Sequence, residues 1–216
     1  MPKRLKHPVG RTVMWRFPDR QGTEIVEVTG TPGDGWRCRG HAHLVDEDRP
    51  IRLSYLVLCD EDWATRYADV EFSRGPGETR FVQLLNDPDL GWQRREAPSR
   101  DDAPVLDFEP LAGLDAVVDV DLNFSPITNT LPIRRLAPRV GATVDVTAAW
   151  IRFPSLAIEP LSQSYTRLAQ RRYRYESKSG FVAEVEVDEL GLVVTYGDVW
   201  ERVATAEAPW APRDRD

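Results

Sequence analysis

Histidine and cysteine are scarce in this chain, with three of the former and two of the latter in 216 residues. His7, His41 and His43 all fall near its beginning, so a histidine-assisted nucleophile has little support, and no cysteine-rich metal spacing exists. His41 and His43 stand two apart on one strand face, but Arg37 and Arg39 share that face and repel a cation. No metal or other cofactor is expected. A Gly-x-Ser-x-Gly elbow, a phosphate-cradling glycine loop and a dinucleotide fingerprint are also missing. Positive charge is in deficit: 28 Lys and Arg stand against 35 Asp and Glu, for a net charge of −7. Such a field repels a nucleic-acid backbone and an anionic membrane surface, so no nucleic-acid partner is expected. No apolar run approaches the ~20 residues of a membrane span. The basic stretch Met1–Lys6 is not followed by the apolar core of an export signal. A cytoplasmic protein without a membrane span is therefore expected.

What the chain does have is period-two alternation. Trp36, Cys38, Gly40, Ala42 and Leu44 form one face of a strand, with Arg37, Arg39, His41 and His43 on the other. Ile51, Leu53, Tyr55, Val57 and Cys59 repeat the pattern, as do Val144, Val146, Ala148 and Trp150, and then Phe181, Ala183, Val185 and Val187. Further strands are predicted near residues 24–29, 67–73, 79–85, 156–168, 172–177 and 192–196. Turn signals such as Pro32-Gly33-Asp34-Gly35, Gly75-Pro76-Gly77 and Lys178-Ser179-Gly180 separate them by short spacings, which imply antiparallel hairpins. Cys38 and Cys59 lie on apolar faces and read as buried thiols, with a disulfide as the alternative. A faint echo links the halves: Arg66-Tyr67, Phe81-Val82 and Asp89-Leu90-Gly91 are matched by Arg172-Tyr173, Phe181-Val182 and Glu189-Leu190-Gly191.

The expected fold is all-β with a minor helix. It is a strongly curved antiparallel sheet, an open half-barrel of two similar halves with a short helical connector packed in its concavity. One domain is expected over residues 1–205, with halves at 11–97 and 140–203, a connector at 98–139 and a loose tail at 206–216 that carries Trp210. The connector begins acidic: Asp101, Asp102, Asp107, Glu109, Asp115, Asp119 and Asp121 face Arg100 alone. Residues 119–136 concentrate two aspartates, an Asn-Thr pair and an Arg-Arg pair, and do not read as a strand. Ser125-Pro126 is a helix N-cap and first-turn signal, and Thr130 is a second candidate start. Ile127, Leu131, Ile133 and Leu136 form an apolar stripe with Arg134 and Arg135 partly outside it.

Candidate ligand groups follow from these patterns. Asp119 and Asp121 could form a carboxylate pair for acid–base work or for gripping sugar hydroxyls; alternatively they cap a turn or pair with Arg134 and Arg135. The segment Ser164–Ser177 interleaves aromatics and arginines, among them Tyr165, Arg167 and Tyr173. Such platforms bind single-stranded nucleic acid, sugars or anionic head groups. The simpler account sets a solvent face of arginines over a core face of tyrosines.

The string Asp119-Val-Asp-Leu122, followed by Ser125-Pro-Ile-Thr-Asn-Thr-Leu-Pro-Ile-Arg-Arg-Leu136, resembles the bacterial family known as putative glycolipid-binding proteins. Tyr165-Thr-Arg-Leu168, Arg172-Tyr-Arg-Tyr-Glu-Ser177, Gly180-Phe181 and Glu184-Val-Glu-Val-Asp188 are similar to it as well, as is the stretch around Trp36, Gly40, Tyr55, Asp60 and Trp63. The resemblance covers most of residues 13–203. It implies a curved sheet like that of bacterial lipoprotein carriers, where a half-barrel encloses short helices and an apolar cavity. It supplies no catalytic residue.

The function expected on this reading is non-enzymatic binding of an amphipathic small molecule, a glycolipid or similar. Apolar parts would rest on inward side chains, with Asp119, Asp121, Asn129, Arg134, Arg135, Tyr165, Arg167 and Tyr173 around the polar head. Two alternatives stand beside it: a carboxylate-dependent hydrolase or transferase acting on a glycolipid or sugar, and an RNA- or protein-binding module using residues 167–174.

Overall fold

The computed structural model describes residues 8–18, 21–97 and 108–207. His7, the acidic run with Asp101, Asp102 and Asp107, and the tail with Trp210 lie outside the described residues. The first half supplies β1 (Val9–Arg16), β2 (Gly22–Thr31), β3 (Gly35–Asp46), β4 (Arg49–Cys59), β5 (Thr65–Ser73), β6 (Thr79–Asp87), β7 (Gly91–Ala97) and β8 (Glu109–Pro110). The connector supplies β9 (Asp119–Leu122), a 3₁₀ turn at Pro126–Asn129 and α1 (Thr130–Leu136). The second half supplies β10 (Thr143–Arg152), β11 (Ala157–Ala169), β12 (Arg172–Ser177), β13 (Val182–Val187), β14 (Val193–Tyr196) and β15 (Trp200–Glu207).

All fifteen strands of the described residues join one open sheet in the order β8-β7-β6-β5-β4-β3-β2-β1-β15-β14-β13-β12-β11-β10-β9. The two ends of that order, β8 and β9, do not pair with each other, so the sheet is not closed into a barrel. Successive strands from β1 to β7 and from β10 to β15 pair antiparallel through short turns, as the hairpin signals predict. The alternation is real. Trp36, Cys38, Ala42 and Leu44 are buried on β3, and Ile51, Leu53, Tyr55, Val57 and Cys59 on β4. Cys38 pairs with Val57 and Cys59 with Trp36, so the two sulfurs are diagonal neighbours on one face. Both cysteines are free and buried.

Two features depart from the expectation, and a third shows how the two halves become one sheet. Residues 119–122 are a strand, and it pairs parallel with β10, Asp121 opposite Trp150. Both of its faces meet protein: Val120 and Leu122 are buried in the main core, while Asp119 is buried on the other side. A polarity rule that sends aspartate to solvent misses such a strand. Further along, β15 runs through Glu207, past the boundary drawn for a loose tail. Finally, β1 and β15 pair antiparallel and join the two halves, with Arg11 opposite Glu207 and Arg16 opposite Glu201.

The echo between the halves has a local cause. Asp87 Oδ1 accepts the N–H groups of Asp89 and Leu90, and Asp188 Oδ1 accepts those of Leu190 and Leu192. Each aspartate thus leads a turn that ends on a glycine with positive φ, 72° at Gly91 and 81° at Gly191. The aromatic positions differ, since Phe81 is buried and Phe181 is exposed.

The connector fills the middle of the trough. Ser125 Oγ accepts the Ile127 N–H at 3.2 Å and Pro126 occupies the first turn, so the cap signal is the true one. Phe124, Ile127, Leu131 and Ile133 are buried in the same core as the sheet residues. Thr130 Oγ1 donates to the Gly191 carbonyl at 2.9 Å and ties α1 to the β13–β14 turn. The helix stops at Ala137, which adopts a left-handed conformation. No described helix is long and apolar enough to cross a membrane.

Candidate functional site

On the first-half side of the connector lies a buried carboxyl group. Glu24 is fully buried, and its Oε1 accepts from Tyr55 Oη and from Ser125 Oγ, the latter at 2.5 Å. Tyr55 can reach it because Gly40, on the intervening strand, has no side chain. A Cβ there would lie 2.1 Å from the tyrosine ring. Burial pushes the Glu24 carboxyl up to about 8, against the two hydroxyl donors, so it is protonated at neutral pH. Its Oε2 has no hydrogen-bond partner.

On the second-half side the connector borders a pocket of about 200 Å³. Trp150, Tyr175, Phe181, Tyr196 and Trp200 line it with aromatic rings. Tyr196 and Trp200 stack with centroids 5.2 Å apart, and Tyr175 and Phe181 meet Tyr196 edge-on at 5.7 and 5.6 Å. Asp121, Asn123, Ser125 and Asn129 supply polar groups on the connector side, and Ser177 and Ser179 on the other. The half-buried Asp121 accepts from Gln163 Nε2 and, at 3.5 Å, from Thr128 Oγ1. Burial raises its carboxyl to about 6, so it ionises just below neutrality. Tyr165 is buried and donates to Asn129 Oδ1 at 3.0 Å, which fixes the amide beside the pocket.

Asp119 is placed differently. It is 1% exposed, and Arg135 grips both its oxygens, Nε–Oδ1 at 3.1 Å and Nη2–Oδ2 at 2.5 Å. The two aspartates therefore do not act as a free pair: one is neutralised by an arginine, and the other faces the aromatic pocket.

The remaining predicted residues gather at the far end of α1. Arg134, Arg167 and Tyr173 line a second concavity of about 330 Å³, together with Arg171. Arg167 donates to the carbonyls of Pro138, Ala169 and Gln170, and its guanidinium lies 5.6 Å from the Tyr173 ring centroid. Tyr173 and Tyr175 are buried while Arg172 and Arg174 are exposed, so the tyrosines offer no open platform for stacking nucleic-acid bases. His41 and His43 are exposed on β3, and no group of His, Cys, Asp or Glu that could hold a metal exists among the described residues.

The model of the family described as "Putative glycolipid-binding" matches residues 12–202. The chain belongs to this family. The glycolipid-binding-family chain is also similar to a solved DUF1089 family protein from Pseudomonas aeruginosa, with 31% identity and a TM-score of 0.69 over 84% of this chain and 92% of that one. A beta-barrel-like protein of domain of unknown function DUF1849, from Brucella abortus, has 9% identity and a TM-score of 0.51 over 93% and 98% of the two chains, a likeness of fold alone. No curated protein matches the chain.

Sequence reasoning missed several residues of the site in this family member. Phe181 was visible only as a strand position, and Tyr196 and Trp200 come from the last two strands, so no local pattern unites them. Glu24 did carry a signal. It stands in phase with Val26 and Val28, the buried face of β2, whereas Ile25 is exposed.

Proposed function

We propose that the protein binds an amphipathic ligand of glycolipid type, without catalysis, and that a sugar ring of the head group occupies the pocket beside the connector. The observation that carries this reading is the composition of that pocket: stacked and edge-on aromatic rings on one wall, with a carboxylate and amides converging from the other. Sugar rings present an apolar C–H face and a rim of hydroxyls, so they need both kinds of wall at once. A volume of about 200 Å³ suits one such ring rather than a long acyl chain. The apolar part of the ligand then runs outward over Phe181, which is 37% exposed. Asn129, held by Tyr165, and Asp121, held by Gln163, are the polar contacts. The family description supports a glycolipid as the ligand class. A hydrolase using two carboxylates is less well supported, because Asp119 is committed to Arg135.

The test uses purified protein, a bacterial lipid extract and a short-chain alkyl glucoside. Native mass spectrometry should find a retained lipid, and the glucoside should quench or shift tryptophan fluorescence saturably. Asp121→Asn and Phe181→Ser should each weaken binding about tenfold, the loss of one good contact. If no lipid is retained and the glucoside gives no saturable change, the reading fails.

A further inference from the structure

We infer that the concavity at the C-terminal end of α1 is a binding site for a phosphoryl-type oxyanion, held by Arg134, Arg167 and Arg171. On a protein of net charge −7, three guanidiniums converging on one hollow stand out against the overall field. Two of them are already fixed. Arg167 spends three of its donors on the backbone carbonyls of Pro138, Ala169 and Gln170 and keeps others free, with Tyr173 beneath its plane. Arg134 lies along Gly191 so closely that a Cβ there would be 2.7 Å from its Cδ. Its Nε is buried without a hydrogen-bond acceptor, and its Nη1 makes only a 3.4 Å contact with the Glu189 carbonyl. Arg171 stands at the rim, 53% exposed, 3.7 Å from Glu189.

Two acids also line the hollow, and both are engaged mainly by other arginines: Asp188 by Arg11 at 3.0 Å and Arg202 at 2.8 Å, and Glu189 by Arg11 at 2.8 Å, with Arg171 farther off at 3.7 Å. What remains is a set of pre-oriented N–H donors with too few acceptors. A tetrahedral oxyanion supplies several acceptors at once and matches the guanidinium fork. The hollow, at about 330 Å³, also leaves room for whatever the phosphoryl group is attached to. That group has two sources, a soluble phosphoester or the head group of an anionic lipid. The inference does not depend on the sugar pocket, which lies at the opposite end of the connector.

The experiment titrates the full chain at low salt with inorganic phosphate and with glycerol 3-phosphate, following arginine Nε–Hε resonances by NMR, with chloride as control. A saturable shift of the Arg134 and Arg167 signals is expected. Arg134→Gln and the rim variant Arg171→Gln should each weaken binding about tenfold. The remote Arg152→Gln should leave it unchanged. Arg171 is exposed, so its variant keeps the fold and the comparison stands even if Arg134→Gln unfolds. Flotation with phosphatidylcholine vesicles, with and without phosphatidic acid, then identifies the source. Arg171-dependent co-flotation with phosphatidic acid marks a lipid head group, and phosphate binding without co-flotation marks a soluble phosphoester. No saturable shift with either phosphate compound, or an affinity in Arg171→Gln as high as in the unsubstituted protein, overturns the inference.

Discussion

Glu24 holds a proton at neutral pH that a free glutamic acid would have lost, and the protein's response to pH follows from it. In the unfolded chain this carboxyl ionises near 4.5; in the folded protein burial raises it to about 8. Between those values the unfolded state is charged and the folded state is not, so unfolding releases a proton and stability declines as pH rises. The slope for one such group approaches about 1.4 kcal/mol per pH unit. Glu24→Gln keeps an acceptor for Tyr55 and Ser125 and removes the ionisation. Thermal melts of the two proteins should nearly coincide at pH 5, and the variant should gain steadily as pH is raised to 8. Parallel melting curves across that range would show that the carboxyl is not protonated in the fold. Asp121, raised to about 6, adds a smaller decline of the same sign at lower pH.

At the scale of elements, the link between β9 and α1 is the Asp119–Arg135 pair, a bidentate contact with one partner almost fully buried. Arg135→Ala leaves the Asp119 carboxylate unpaired in a low-dielectric setting. The expected loss is about 3–5 kcal/mol in urea unfolding, while Asp119→Leu combined with Arg135→Met should cost far less. If the single and double variants lose equally, the pair does not hold the helix. This element also marks where sequence reading stops. Hairpins such as β3–β4 are legible because one face is apolar and the other wet, and the Ser125-Pro126 cap is legible because capping is local chemistry. By contrast, β9 shows the alternation of a strand but carries aspartate on a face that turns out to be buried, and only Arg135, Gln163 and Thr128 from elsewhere make that tolerable. The same limit hid the aromatic pocket. Asp121 and Asn129 could be singled out in the connector, but their partners Tyr196 and Trp200 arrive from strands about seventy residues later.

For the molecule as a whole, the seam between β1 and β15 decides whether the two halves form one sheet. Asp188 braces it, receiving Arg11 from β1 and Arg202 from β15 while capping its own turn through Leu190 and Leu192. Trp15 adds a bond from its Nε1 to the Val193 carbonyl at 2.9 Å. Asp188→Ala should take from Arg202 its carboxylate partner and from the β13–β14 turn its cap, while Arg11 keeps Glu189 and Arg202 keeps the Leu192 and Val193 carbonyls, and should cost about 1–3 kcal/mol. Hydrogen exchange should then speed up first in β1 and β15 and later in β3 and β4. Uniform loss of protection across the sheet would show that the seam is not its weak line.

The strand order carries one more consequence. Reading from β9 to β15 and on from β1 to β8 visits every strand beside its predecessor, antiparallel at each step except the parallel β9–β10 pair. Splicing the paired ends of β1 and β15 together, and opening the chain between Pro110 and Asp119, would yield a circular permutant in which each strand neighbours the next in sequence and both new termini lie at the sheet's margins.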